Sequence, residues 1–291
     1  PLAEVDQQMS DVVGEKMARL GEIRKRLPYR IPKGFIITSQ ACQRFFQKTN
    51  IGKKIVEMET AMAAQKISAH EVESQLSRFL LNKPLPREIA RQMKRGIAVL
   101  EKEAGGKGLL AVRSSAIGED GRLSFAGLHD TLLGVQPAEA SRAYQEVVAS
   151  LFTSRAITYR LHHGEPLSSA LMAVGFLRMI PATASGVVYT LDPNAPEQNT
   201  MLVSAAPGLG KTVVEGKGNS DRFILSRHPP HQVISREVAH KEKQYEILPQ
   251  GGMVLTDVPS SRAELQTVSD DFLARLAGAA LHIEKHMKSV Q

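Results

Sequence analysis

Three short apolar runs in the second half of the sequence constrain the fold more than any other feature. They are ALMAVGFLRMI (170–180), SGVVYTLDP (185–193) and TMLVSAA (200–206), and turn-forming residues separate them. Apolar runs of this length between such residues are typical of β-strands. Because amphipathic helical patterns flank them at 139–164 and 269–287, we expect a fold of the α/β or α+β class.

The first half of the sequence predicts mainly helices, with two short strands. Apolar residues recur at helical spacing over 12–27, and residues 51–104 have a charged helical pattern that two prolines interrupt at 82–88. Strands are predicted for Phe35–Thr38 and for LLAVRSS (109–115). The second of these ends in a polar Ser-Ser turn, which is a suitable place for binding residues.

Composition and charge exclude several classes of protein. The 291 residues are 42% hydrophobic, with a net charge of +7, which suits an anionic partner such as a nucleotide. The lysines are not interleaved with aromatic residues, so a nucleic-acid-binding protein is not favoured. The single cysteine, Cys42, fits a reducing compartment, and no apolar run is long enough to span a membrane. We therefore expect a cytoplasmic protein without a membrane partner.

The segment AAPGLGKTVVEG (205–216) loosely matches a phosphate-binding P-loop, with Gly210, Lys211 and Thr212 in its last positions. In a true P-loop the lysine opens a helix whose first amides hold the phosphates. Here two valines and two glycines follow Lys211 closely, and this composition predicts a poor helix. We therefore interpret the segment as a look-alike.

Five stretches taken together resemble one known family. AVRSSAIGEDGRLSFAGLHDTLLGV (111–135) resembles the signature of the nucleotide-binding domain of phosphoenolpyruvate synthase (pyruvate, water dikinase) and pyruvate phosphate dikinase. GEKMARLGEI followed by IPKGFIITSQAC is similar to the start of that domain. SLFTSRAITYR, SGVVYTLDP and APGLGKTVVEGKGNSDRFILS follow in the family's order, so the resemblance covers nearly the whole chain.

The resemblance implies an ATP-grasp-like α+β fold, in which two subdomains with mixed or antiparallel sheets clamp ATP. We expect the first subdomain at 1–180, including the helical segment 51–104, and the second at 181–291, truncated at its end. In the family, ATP phosphorylates a carrier histidine on a mobile domain, which passes the phosphate to pyruvate in a barrel. The phosphohistidine and pyruvate-binding domains are expected in the full-length protein, outside these 291 residues.

Candidate site residues come from chemistry and from the resemblance. Arg113 lies where an apolar strand becomes polar, so its forked guanidinium suits two phosphate oxygens, although a structural ion pair is the alternative. Lys16 matches the family's N-terminal phosphate-contacting lysine, but it is otherwise an ordinary helix lysine. These two are the predicted catalytic residues. The other predicted nucleotide-binding residues are Ser124 and Gly127 in a loop of small residues, Asp192, Gly208, Gly210 and Asp221.

Some of these residues have equally plausible local roles. Asp192, before Pro193, suits either ribose or magnesium binding, or an Asx turn. Gly208 and Gly210 allow a ligand to approach the backbone, or they simply form a turn.

Three positions depart from the family pattern. Lys211 occupies the place of an acidic residue that suits magnesium, and Glu215 is the predicted replacement ligand. Leu128 and Leu177 stand where the family has glutamines. ATP and Mg²⁺ are the cofactors that the resemblance implies. The alternative is a degenerate, non-catalytic ATP-grasp-like module that binds a nucleotide or a protein partner.

Overall fold

A computed structural model of the protein describes residues 1–103, 105–106, 108–118, 128–216 and 218–291, with the backbone alone for Glu215. The described helices, apart from short 3₁₀ turns, are α1 (Ser10–Val13), α2 (Glu15–Arg26), α3 (Ser39–Thr49), α4 (Ile51–Ala63), α5 (Ala69–Leu81), α6 (Arg87–Glu103), α7 (Ala140–Ala149), α8 (Ser154–His162), α9 (Lys211–Glu215), α10 (Ser260–Ala263) and α11 (Asp270–Met287). The described strands are β1 (Gly34–Ile37), β2 (Leu110–Ala116), β3 (Thr131–Val135), β4 (Met172–Arg178), β5 (Ala184–Tyr189), β6 (Thr200–Pro207), β7 (Asp221–Ser226), β8 (Val233–Glu237), β9 (Lys243–Ile247) and β10 (Met253–Asp257).

The chain divides into two compact units, Pro1–Met179 and Ile180–Gln291. The first unit contains an antiparallel sheet in the order β1-β4-β2-β3. Alternate residues of its strands point to opposite faces. Phe35, Val112 and Phe176 belong to the large core formed with the helices that follow β1. Ala111 and Leu177 belong to a smaller cluster on the other face.

Helix α2 covers part of that second face. Its buried Met17 and Ala18 pack with Val5 and Val13 of the N-terminal segment, next to the partly buried Ile36 of β1. Gly21 lets this segment approach the helix, since a Cβ there would lie 2.6 Å from the carbonyl oxygen of Val5. The sheet of the first unit is therefore enclosed on both faces.

The second unit contains an antiparallel sheet in the order β5-β6-β7-β8 and a separate hairpin of β9 and β10. Helix α11 packs on one face of the sheet, where Leu273 and Ala277 meet Met201, Phe223 and Leu225. The hydroxyl of Ser269 caps this helix by accepting from the amide of Phe272 at 3.3 Å. The predicted helix at 269–287 is confirmed.

The α+β class is confirmed, and every strand pair among the described residues is antiparallel. The single helix expected at 139–164 is wrong, because Thr153 starts a new helix by accepting the amide of Ala156 at 3.2 Å. The helix expected at 12–27 is also interrupted, by Gly14. None of the helices that the structure describes is long and apolar enough to cross a bilayer.

Candidate functional site

Arg113 is the exposed member of an otherwise buried strand, β2. By strand alternation it shares the α2 face of the sheet with Ala111 and Ser115. Neighbouring protein atoms still remove part of its hydration, and this desolvation lowers the pKa of the guanidinium from its usual value. Within the described part of the chain, no carboxylate pairs with Arg113. Among those residues, nothing supports the alternative of a structural ion pair.

Lys16 lies in the first turn of α2, which is held against the end of β2. The backbone amide of Met17 donates to the hydroxyl of Ser115 at 3.2 Å. Gly14 precedes the helix with φ of 72°, and a Cβ on it would lie 2.3 Å from the Ser115 hydroxyl oxygen. Lys16 itself is exposed. This contact brings the first turn of α2 to the strand that carries Arg113.

One neighbour of Arg113 on the sheet is a glycine, and Met17 of α2 packs over it. Its Cα pairs with Thr131 on β3 and with Gly175 on β4. Gly175 has no side chain, and the Sδ of Met17 lies 2.3 Å from where its Cβ would be. The first turn of α2, which carries Lys16, thus lies next to Arg113 on the same face of the sheet.

His129 is a residue of this region that sequence reasoning missed. It is buried, and its Nδ1 lies 3.2 Å from the carbonyl oxygen of Ser150, to which the neutral ring donates. Desolvation lowers the pKa of its imidazole to about 4, and the positive charges of Arg160 and Lys16 add to this effect. His129 is therefore neutral at physiological pH and lies within the electrostatic reach of Lys16.

The look-alike segment of the second unit forms a tight turn followed by a short helix. The poor helix expected after Gly210 is short: α9 begins at Lys211, lasts five residues and ends at Gly216, which is left-handed with φ of 63°. The Nζ of Lys211 lies 5.3 Å from the centroid of the Tyr245 ring, in a cation–π contact. One helical turn is too short to form the extended helix of a P-loop.

Gly208 has a structural reason for being glycine. Its φ is 73°, and a Cβ there would lie 2.5 Å from the carbonyl oxygen of Tyr245. That same oxygen accepts the amide of Leu209 at 2.9 Å. Gly208 therefore lets the turn approach β9. Gly210 is less constrained, since its nearest neighbour would be the Cβ of Ser185 at 3.4 Å.

The carboxylate of Asp221 is occupied by the protein itself. It is fully buried and pairs with the buried Lys241 at 2.6 Å. Its two oxygens also accept the amides of Ala239 at 3.1 Å and Thr267 at 2.6 Å. We therefore correct its assignment from nucleotide binding to the core of the second unit.

Asp192 forms the Asx turn that the sequence analysis left open. Its Oδ1 accepts the backbone amide of Asn194 at 2.9 Å and the side-chain amide at 3.0 Å. The group is buried. This local role accounts for the aspartate without a ligand.

Several predicted features lie outside what the structure describes. Ser124, Gly127 and the side chain of Glu215 are not among the described residues. Leu177, one of the departures from the family, is buried in the small cluster with Ala111 and Leu2. In the residues that the structure describes, no group of three histidine, cysteine or acidic residues could hold a metal ion.

An antiparallel α+β fold that places Arg113 and the first turn of α2, which carries Lys16, on one face of a sheet suits the binding of an anion. Comparison with known proteins gives the family. Residues 10–291 match the family described as the pyruvate phosphate dikinase AMP/ATP-binding domain. The chain belongs to this family, and it is therefore an ATP-binding domain. The predicted resemblance to the N-terminal domain of phosphoenolpyruvate synthase is confirmed.

Relatives with two different names are about equally similar to the chain. It is 30% identical to a probable phosphoenolpyruvate synthase of Staphylothermus marinus and 31% identical to one of Methanocaldococcus jannaschii, each over 98% of this chain. It is also 31% identical to a rifampicin phosphotransferase of Streptomyces sviceus over 97% of this chain. The chain spans only 37%, 24% and 32% of these three relatives.

Proposed function

We propose that the phosphates of ATP bind at Lys16 and Arg113. The observation that carries this proposal is Arg113, which is partly desolvated and has no carboxylate partner among the described residues. A desolvated cation without an anionic partner is costly, and a bound phosphate removes that cost. The guanidinium can donate to two phosphate oxygens, whereas Lys16 acts as a point charge.

These residues would promote phosphoryl transfer by position and charge. The transfer spreads negative charge over phosphate oxygens, so cations fixed beside them stabilise the transition state. A neutral His129 adds no further positive charge next to Lys16, and its ring can act as a hydrogen-bonding group. Ser124 and Gly127 remain proposed backbone donors to the phosphates, and Gly210 remains a proposed nucleotide-binding residue of the second unit.

The described residues do not fit a protein-held magnesium ion. Asp192 is engaged in its Asx turn, Asp221 is paired with Lys241, and Lys211 is a cation. Mg²⁺ is often bound through substrate phosphates with few protein ligands. We therefore retain magnesium in the proposal only as a companion of ATP, and we assign no step to it.

The full-length protein is proposed to be a cytoplasmic phosphotransferase. It would use ATP to phosphorylate a carrier histidine and then an acceptor, with phosphohistidine and acceptor domains outside this chain. Pyruvate is the acceptor suggested by the relatives named phosphoenolpyruvate synthase. Rifampicin is the second candidate, because relatives named rifampicin phosphotransferase are equally similar. Incubation of the full-length protein with labelled ATP and each acceptor in turn tests the choice between them. If neither pyruvate nor rifampicin gives a labelled product, both candidates are contradicted.

A non-catalytic nucleotide-binding module is the second candidate function, and Lys211 favours it. In that case the chain would bind ATP, but the full-length protein would transfer no phosphate to a histidine. Acid-labile label on the full-length protein, from ATP labelled in its β- and γ-phosphates, would exclude this candidate.

Titration of the chain with ATP and adenosine tests the binding site itself. Lys16→Ala should weaken ATP binding about tenfold or more while leaving adenosine binding unchanged, because a charged hydrogen bond contributes about 1.5–3 kcal/mol. Lys25→Ala is a matched control, since Lys25 lies on the same helix but pairs with Asp6 at 2.7 Å. Equal ATP affinity in wild type and Lys16→Ala would contradict the proposed site.

A further inference from the structure

We propose that Ser115 is a positioning residue, which caps helix α2 from a distant strand and thereby holds Lys16 beside Arg113. The inference rests on the proposed function, because the position of Lys16 matters for binding only if phosphates bind there. Ser115 itself is fully buried and is not proposed to touch the nucleotide.

The hydroxyl of Ser115 caps the start of helix α2. Helices leave their first amides without partners inside the helix, and a serine at the N-cap normally accepts the amide three residues on. Gly14 occupies the N-cap of α2 and has no side chain to do this. The hydroxyl of Ser115, which is 98 residues away in sequence, accepts the amide of Met17 at 3.2 Å. Ser115 therefore supplies the missing cap from β2.

This cap requires a close approach between Gly14 and Ser115. A Cβ on Gly14 would lie 2.3 Å from the Ser115 hydroxyl oxygen and 2.4 Å from its carbonyl oxygen. Gly14 also has φ of 72°, which a residue with a side chain rarely adopts. The glycine thus allows the helix start to come close enough for the hydroxyl to reach Met17.

The contact between Ser115 and Met17 lies close to Arg113 on the same strand. Ser115 and Arg113 are two residues apart on one face of β2, a spacing of about 7 Å. The side chain of Met17 lies over Gly175, which pairs with Arg113 on the neighbouring strand. The backbone and the side chain of Met17 are therefore both fixed next to Arg113, and Lys16 is the preceding residue.

The cap consequently biases the first turn of α2 toward the position in which Lys16 and Arg113 act together. If the turn frays, the population competent to bind phosphates falls, and the apparent dissociation constant rises in proportion. Loss of an N-cap typically changes such an equilibrium by about fivefold.

Ser115→Ala and Ser114→Ala form a matched pair of variants. Both serines are buried on β2, but the hydroxyl of Ser114 has no hydrogen-bond partner among the described residues. We expect Ser115→Ala to weaken ATP binding by two- to fivefold, with adenosine binding unchanged. Ser114→Ala should bind both ligands as the wild type does. Unchanged ATP affinity in Ser115→Ala, or equal losses for ATP and adenosine, would overturn the inference.

Amide hydrogen exchange separates this inference from the proposed function. Without any nucleotide, the Met17 amide should exchange faster in Ser115→Ala than in Ser114→Ala, because its acceptor is gone. Equal exchange in the two variants would overturn the inference even if ATP binds as proposed. Failure of the wild type to bind ATP would instead refute the proposed function, and would overturn the binding role of the cap with it.

Discussion

Lowering the pH from 7 to 5 should destabilise the protein, because His129 takes up a proton in the unfolded chain but stays neutral where it is buried in the fold. Burial lowers the pKa of its imidazole in the folded protein to about 4, from an ordinary value of 6.5. Between these two values the unfolded chain binds a proton that the folded protein does not, so stability falls as the pH falls. The contribution is fully present above the unfolded pKa and is lost progressively below it.

The magnitude follows from the two pKa values. The difference in proton binding between pH 7 and pH 5 amounts to about 2 kcal/mol of unfolding free energy. Carboxylates act in a lower window: hydrogen bonds from Ser154 and Arg227 hold the pKa values of Glu73 and Glu284 below their ordinary 4.5. Their stabilisation is lost only as the pH falls below that value, so His129 dominates between pH 5 and 7.

Urea unfolding at a series of pH values is the assay. His129→Asn keeps a hydrogen-bond donor near Ser150 but cannot titrate, so most of the loss between pH 7 and 5 should disappear. His162→Asn is the control, because His162 is exposed at the end of α8. A His129→Asn variant with the same pH dependence as the wild type would refute the reasoning, since it would mean that the ring is hydrated in the folded protein.

Three further predictions concern the second unit. Lys211→Glu should keep or strengthen Mg-ATP binding by about 1–3 kcal/mol. Titrations with and without magnesium test this, and loss of ATP binding in a variant that still folds would favour the P-loop interpretation. Gly208→Ala should destabilise the fold by about 1–3 kcal/mol, because the residue has a positive φ and its new Cβ would clash with Tyr245. Gly210→Ala should be nearly neutral, so equal melting temperatures of the two variants would contradict this prediction. Asp221→Asn should lower the free energy of unfolding by about 3–5 kcal/mol, because it leaves the buried Lys241 unpaired. A smaller loss, measured by urea unfolding, would mean that water reaches the pair.

The sequence predicted the elements whose patterns are local and strong. The helices between 51 and 104 with their interruption by prolines, the strand around Arg113 and the amphipathic helix at 269–287 are present as expected. Strands β7 to β10 were not recognised; β8 and β10 are five residues long and contain no buried residue, so they show little apolar alternation. The break at Thr153 was missed because the apolar spacing continues through it.

The sequence singled out the two cations of the proposed site, but not the contacts that surround them. The polar end of an apolar strand singled out Arg113, and the resemblance singled out Lys16. The cap from Ser115 joins residues 98 positions apart, and the burial of His129 depends on the packing around Ser150, so neither leaves a local pattern. Asp221 was misassigned for the same reason, since its partner Lys241 follows 20 residues later.

The most direct test of the central claim is calorimetric titration of wild type and Arg113→Ala with ATP and with adenosine. The account predicts that Arg113→Ala loses about 1.5–3 kcal/mol of ATP binding, the range for a charge-assisted hydrogen bond, while adenosine binding is nearly unchanged. Arg95→Ala, at an exposed position of α6, should bind both ligands as the wild type does. Equal losses for ATP and adenosine in Arg113→Ala, or full retention of ATP binding, would contradict the assignment of Arg113 to the phosphates.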